Sequence, residues 1–255
     1  MMSPRLAAAS KVAGWHFLLS VVVSLVVAAI VFGVWYPYPY RELSGGRELF
    51  WIVVAVDVVC GPLMTLILFN PQKSRRELML DLGLVAAVQL SALCYGTWTT
   101  WQVRPSYLVF ELDRFKVISV AALDPKAVKA LTPDLAPHAL GGVKTVAVRP
   151  PKSTEERNKV LFESIDLGID YAERPDFYIP YEGEAARKSF ERARPLESFF
   201  LQHPQQKAQA EAISKDQSIG LGELKYLPVM GRQDWVALLD KDGKIRGFLK
   251  GDGFL

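Results

Sequence analysis

Three apolar runs within the first 101 residues set the main constraint on this chain. They are "GWHFLLSVVVSLVVAAIVFGVWY" (14–36), "FWIVVAVDVVCGPLMTLILFN" (50–70) and "LMLDLGLVAAVQLSALCYGTWTTW" (78–101). Each has the roughly 20 residues a helix needs to cross ~30 Å of hydrocarbon. None shows the polar face of a soluble core helix. The remainder reads as an ordinary soluble domain, so the chain is expected to have two regions facing different solvents. The first run is too long for a cleaved signal, and Trp35, Tyr36 and Pro37 follow it where a small-residue cleavage site would stand. It reads as an uncleaved anchor.

Charges in the short connections set the expected orientation. The N-terminal tail has Arg5 and Lys11 and no acid, and the turn after the second run has Lys73, Arg75 and Arg76 against Glu77. Between the first two runs, Arg41 and Arg47 are offset by Glu42 and Glu48. The positive-inside rule puts the tail and the second turn in the cytoplasm. The expectation is a cytoplasmic tail (1–13), a three-helix transmembrane region (14–101) and an outer domain (102–255). Trp35, Tyr36, Tyr38, Tyr40, Trp51, Trp98 and Trp101 then gather at the outer boundary as an aromatic belt.

Asp57 stands inside the second run, close to Gly61 and Pro62. At 1.5 Å per residue it lies roughly 10 Å below the outer surface. A charge there costs about 2.5–3.5 kcal/mol, so the carboxyl must be protonated, paired or turned toward other helices. Depth counting offers Ser91 and Tyr95 on the third run as supporting polar contacts, with Ser24 on the first run deeper. Pro62 removes the hydrogen bond to the Val58 carbonyl, and Gly61 permits close helix approach. Asp57, Gly61 and Pro62 are candidates for binding another membrane helix, with internal glue between the three helices as the commoner alternative. Asp81 and His16, near the inner ends, read as snorkelling side chains, Asp81 beside Arg75 and Arg76.

The domain after residue 102 is expected to be α+β, with a mainly antiparallel sheet and a C-terminal β-hairpin. "SYLVFELDRFKVISVAAL" reads as one long or two short strands and "VKTVAVRPP" as another. Ser153 and Glu156 have capping-box spacing, with Gly168 as the helix stop. A helix near residues 183–203 must break at Pro195. Asp242-Gly243 joins two hairpin strands, 235–239 and 244–249. "DKDG" (240–243) lacks the further acids of a calcium loop and reads as that turn.

Chemistry is sparse. There is no Cys/His cluster, phosphate loop or nucleophile elbow. No catalytic residue, metal site or cofactor is expected, and the net charge of +3 gives no nucleic-acid footprint. The basic stretch "RKSFERAR" is interleaved with Glu191 and reads as a solvated face.

The motif "GG-R-LF…VD…GP-L-T", at Gly45, Gly46, Arg47, Leu49, Phe50, Asp57, Gly61, Pro62, Leu63 and Thr65, appears with "RPSYLVFELDRFKVI" and a terminal "LPVMGRQDWVALLDKDGKIRGFL". Together they resemble the type IV pilin accessory proteins of the TfpX/TfpZ kind, related to FimB. The resemblance implies a non-enzymatic bacterial inner-membrane factor that assists a cognate type IV pilin, with other pilus machinery of the inner membrane as further partners. Pilins of that class wait in the membrane as single apolar helices with a glutamate near the outer end. Docking of such a helix against Asp57, Gly61 and Pro62 follows from depth and small-residue packing, and the resemblance does not supply it. The rival reading is a membrane-anchored periplasmic sensor or ligand-binding protein, but the cytoplasmic share holds no output module. An intramembrane enzyme would need a second catalytic group at the depth of Asp57.

Overall fold

The computed structural model describes residues 3–138 and 140–254. It divides into two compact units, residues 1–37 with 46–102, and residues 38–45 with 103–255.

The first unit is helical. Helix α1 (Pro4–Ile30) has Ser3 as its N-cap, with the side chain accepting from the Leu6 amide, and a π-helical turn (Val31–Trp35) extends it. The short α2 (Tyr40–Leu43) follows, and it belongs to the second unit. Next come α3 (Gly46–Ala55), a second π-helical turn (Val56–Cys60), α4 (Gly61–Leu68) and α5 (Arg75–Gln102). Three continuous helical stretches, Pro4–Trp35, Gly46–Leu68 and Arg75–Gln102, are long and apolar enough to cross a membrane. Helix α1 begins ten residues before the first apolar run, since the Ala-rich "PRLAAASKVA" continues the helix without a breaker.

Small residues govern the packing of α1. Ala9, Ala13, Ser20 and Ser24 are buried, while Trp15, Leu18, Leu19 and Leu25 stay exposed. Such a seam lets backbones approach closely. His16 Nδ1 hydrogen-bonds Thr65 Oγ1 at 2.6 Å and Arg5 reaches the Ile67 carbonyl at 2.8 Å, so His16 is pinned to α4 where snorkelling was expected. Asp81 pairs with Lys73, not with Arg75 or Arg76.

The second unit is built on one eight-stranded sheet. Its elements run β1 (Pro105–Glu111), β2 (Arg114–Ser119), α6 (Pro125–Lys129), β3 (Lys144–Val148), α7 (Thr154–Leu167), β4 (Tyr178–Pro180), α8 (Glu184–Arg192), β5 (Arg194–Pro195), α9 (Leu196–Gln202), α10 (Lys207–Asp216), β6 (Lys225–Met230), β7 (Trp235–Leu239) and β8 (Ile245–Lys250). The order is β4-β3-β1-β2-β6-β7-β8, with β5 beside β6. The expectation of a mainly antiparallel sheet needs correction, because the sheet is mixed. β1 pairs β3 in parallel and β2 pairs β6 in parallel, both in the middle of the order. The excursions through α6, and through α7 to α10, are long enough to return the chain for parallel pairing.

Local signals account for several boundaries. Ser153 Oγ accepts from the Glu156 amide at 3.1 Å, and Gly168 ends α7 at φ 67° in the left-handed region. Pro195 separates α8 from α9. Asp240 organises the terminal hairpin: Oδ1 accepts from the amides of Asp242 and Lys244, both at 2.9 Å, and Oδ2 accepts from Arg246 Nε at 2.6 Å. Burial pushes the Asp240 carboxyl up, but those hydrogen bonds outweigh it and hold its pKa below the ordinary value.

The core on one side of the sheet joins Leu108, Phe115, Leu227, Val229, Trp235 and Leu239 with Tyr40 and Leu43 of α2. Tyr40 is therefore a core residue, where an aromatic-belt position was expected, and Tyr36 is fully buried in the helical unit. Trp51 and Trp98 are exposed.

Candidate functional site

Asp57 lies at the join between α3 and α4. The π-helical turn around it shifts the amide bonds to the carbonyl five residues back. In that register the nitrogen opposite the Asp57 carbonyl is that of Pro62, which has no hydrogen. Gln89 of α5 supplies the missing donor. Its Nε2 donates to the Asp57 carbonyl at 2.9 Å and to Asp57 Oδ1 at 3.2 Å. One amide side chain thus serves both the backbone defect and the carboxyl, and Asp57 is only 6% exposed.

Gly61 makes this possible, because a Cβ there would collide with the Gln89 amide. Asp57, Gly61 and Thr65 recur every fourth residue and are all buried, so one helix row faces inward. On α5, a Cβ at Gly96 would lie 2.6 Å from Val53 Cγ2, which lets α3 and α5 approach closely. Beside this contact is a hollow of about 270 Å³ lined by Ile52, Val53, Val56, Asp57, Ala92, Leu93, Tyr95, Gly96, Thr99 and Thr100. Its walls are almost wholly apolar. Thr99 Oγ1 is buried without a hydrogen-bond partner among the described residues.

The structure brings Asp57, Gly61 and Pro62 together on one buried face. The hydrogen bond to Asp57 comes from Gln89, and neither Ser91 nor Tyr95 makes it. Ser91 is exposed, Tyr95 lines the same hollow with its ring beside Trp98 (centroids 6.2 Å), and Ser24 is buried with no partner for its hydroxyl among the described residues. Gln89 was legible as the only amide side chain in the third run, but depth counting does not say which residues face each other.

A second junction lies within the sheet unit. The Arg232 amide, in the β6–β7 turn, donates to the Leu43 carbonyl at 2.7 Å. A Cβ on Gly231 would strike the Leu43 side chain. Gly45, at φ 71°, leaves room for the Arg232 side chain. The two glycine-containing pieces "SGG" and "MGRQ", 186 positions apart between Gly45 and Gly231, therefore meet in space. Among the described residues no group of three or more His, Cys, Asp or Glu side chains is placed to hold a metal ion.

The model of the fimbrial assembly protein FimB family matches residues 4–45, which span α1 and the segment that carries Leu43 and Gly45. A fimbrial assembly protein of serogroup I from Dichelobacter nodosus is 34% identical over 257 residues, covering 100% of this chain and 99% of the relative. The chain belongs to the FimB fimbrial assembly family. The serogroup E1 protein of the same organism is also 34% identical over the same extent, and the protein of serogroups C1 and C2 is 44% identical over 119 residues, covering 47% of this chain and 91% of its own. No solved structure matches. The FimB match stops before Asp57, Gly61 and Gln89, whereas the full-length alignments extend across them.

Proposed function

We propose that this FimB-family chain is a multi-pass inner-membrane protein that assists pilus assembly without catalysing a reaction, with a pilin as its partner. The carrying observation is similarity over the full length to fimbrial assembly proteins. The three long apolar helices, with outward Trp15, Leu19, Leu25, Trp51, Ile67 and Leu84, support residence in a bilayer. Packing of Tyr40 and Leu43 into the sheet core supports a topology in which the first connection and the C-terminal domain share one side of the membrane. Three crossings satisfy that requirement, and the charge balance of the connections supports a periplasmic location for the shared side.

The partner helix docks where Asp57, Gly61 and Pro62 meet α5. The hollow there has apolar walls for a transmembrane helix and a buried carboxyl for a polar group upon it. Internal stapling by Gln89 and external docking are compatible, because the staple fixes the face that a partner meets. The test is co-purification of the pilin from the native membrane with Asp57→Ala and, separately, Gly61→Leu. Recovery should fall in both at normal protein levels. Unchanged recovery removes the intramembrane site, and normal surface piliation in a strain lacking the protein removes the assembly role.

A further inference from the structure

We infer that a hollow beside the Leu43–Arg232 junction binds the phosphate of an anionic lipid headgroup. The hollow encloses about 280 Å³, and Ser44, Val103, Lys116, Ser119, Met230 and Arg232 are among its walls. No carboxylate lines it. Lys116 is already paired, to Asp170 at 3.0 Å and Glu173 at 2.9 Å. Arg232 is exposed, and among the described residues its guanidinium has no carboxylate within ion-pair distance. Ser44 Oγ is buried and lacks any hydrogen-bond partner among the described residues. Arg232 and Ser44, the first without a carboxylate partner and the second without a partner for its hydroxyl among the described residues, therefore both line one small hollow.

The arrangement is held in place. The Arg232 main chain is tied to Leu43, and a Cβ at Gly45 would lie 2.6 Å from Arg232 Cδ and 2.8 Å from Nη1, so glycine there gives the arginine its path. A forked guanidinium suits a phosphate, and a hydroxyl adds a third donor. Val103, Pro105, Val117 and Met230 give the hollow an apolar part, which suits the glycerol and upper acyl chain of a lipid and serves no purpose for free phosphate. Chain connectivity favours the same source. Ser44 stands two residues before α3, and Val103 directly follows α5. The inference rests on reading those helices as membrane spans, which brings both walls to headgroup level.

The test uses the full-length protein, released from nanodiscs of phosphatidylglycerol and phosphatidylcholine in equal parts into detergent and weighed by native mass spectrometry. The wild type should retain phosphatidylglycerol. Arg232→Gln, which keeps the main-chain bond and the side-chain stem, should lower retention about tenfold, the loss of one charge-assisted contact. Ser44→Ala should lower it by a smaller factor, and it decides the matter alone if Arg232→Gln melts earlier than wild type, since its hydroxyl has no partner to lose. Equal retention by wild type and Ser44→Ala together with Arg232→Gln overturns the site. Displacement of the lipid by millimolar inorganic phosphate overturns the lipid assignment in favour of a soluble anion. No pilin enters the assay, so its result stands apart from the pilus role. A chain recovered without detergent would overturn the membrane premise and this site with it.

Discussion

The Arg232 amide donates to the Leu43 carbonyl at 2.7 Å, across 189 positions of sequence that include the second and third apolar runs. Leu43 is fully buried among Leu227, Trp235 and Leu239. A segment lying between two apolar helices is thus a structural part of the sheet domain. Leu43→Ala should destabilise that domain by about 2–5 kcal/mol. Chemical denaturation in detergent, followed by the fluorescence of Trp235 in a background with the other five tryptophans changed to Phe, measures this. If residues 38–45 were a mere connector, the midpoint would not move.

Gln89 and Asp57 should be energetically coupled. A double-mutant cycle with Asp57→Ala and Gln89→Ala, read by thermal unfolding in detergent, should give a coupling of roughly 0.6–1.7 kcal/mol, the range for hydrogen bonds between membrane helices. Gly61→Leu should cost more than either single change, because it displaces the Gln89 amide and with it both bonds.

Much of this architecture was legible from sequence, and what escaped has common causes. The α7 caps at Ser153 and Gly168 and the Asp242-Gly243 hairpin depend on neighbours within a few positions, which sequence spacing reports. Strand β6 escaped because Pro228 sits inside it. Pro228 pairs with Val236 on the β7 side, and on the other side of β6 the ladder has a gap at that position, since pairing with β5 ends at Tyr226 and pairing with β2 begins at Val229. The choice of Gln89 over Ser91 and Tyr95, and the capture of Leu43 by the domain, depend on which faces meet. Periodicity and depth carry no record of that. The parallel pairings escaped for the same reason.

Glu156 should leave a signature in acid. Arg149 beside it, bonded through both nitrogens at 2.8 and 2.9 Å, and the Lys152 amide hold its pKa down to about 2, against an ordinary 4.5. A depressed carboxylate stabilises the fold fully above the unfolded pKa, and that contribution fades as pH falls from about 4.5 toward 2. Glu156→Gln should flatten the dependence of the thermal midpoint on pH in that window and leave the slope above it unchanged.

Asp240 should behave as a turn organiser. Its two oxygens accept three hydrogen bonds within the hairpin, so Asp240→Ala should cost about 2–4 kcal/mol from groups left unsatisfied. Calcium should leave the melting temperature unchanged, because the carboxylate is already engaged. A clear rise with millimolar calcium would return "DKDG" to the calcium-loop reading.

The shared placement of residues 38–45 and the C-terminal domain can be measured directly. Single cysteines at the exposed positions Tyr38 and Lys250, in a background with Cys60→Ser and Cys94→Ser, can be challenged in intact inner-membrane vesicles with a membrane-impermeant maleimide. Both should label from the periplasmic face and neither from the cytoplasmic face. Labelling of the two positions from opposite faces would contradict the account, because Leu43 and Arg232 could then never meet.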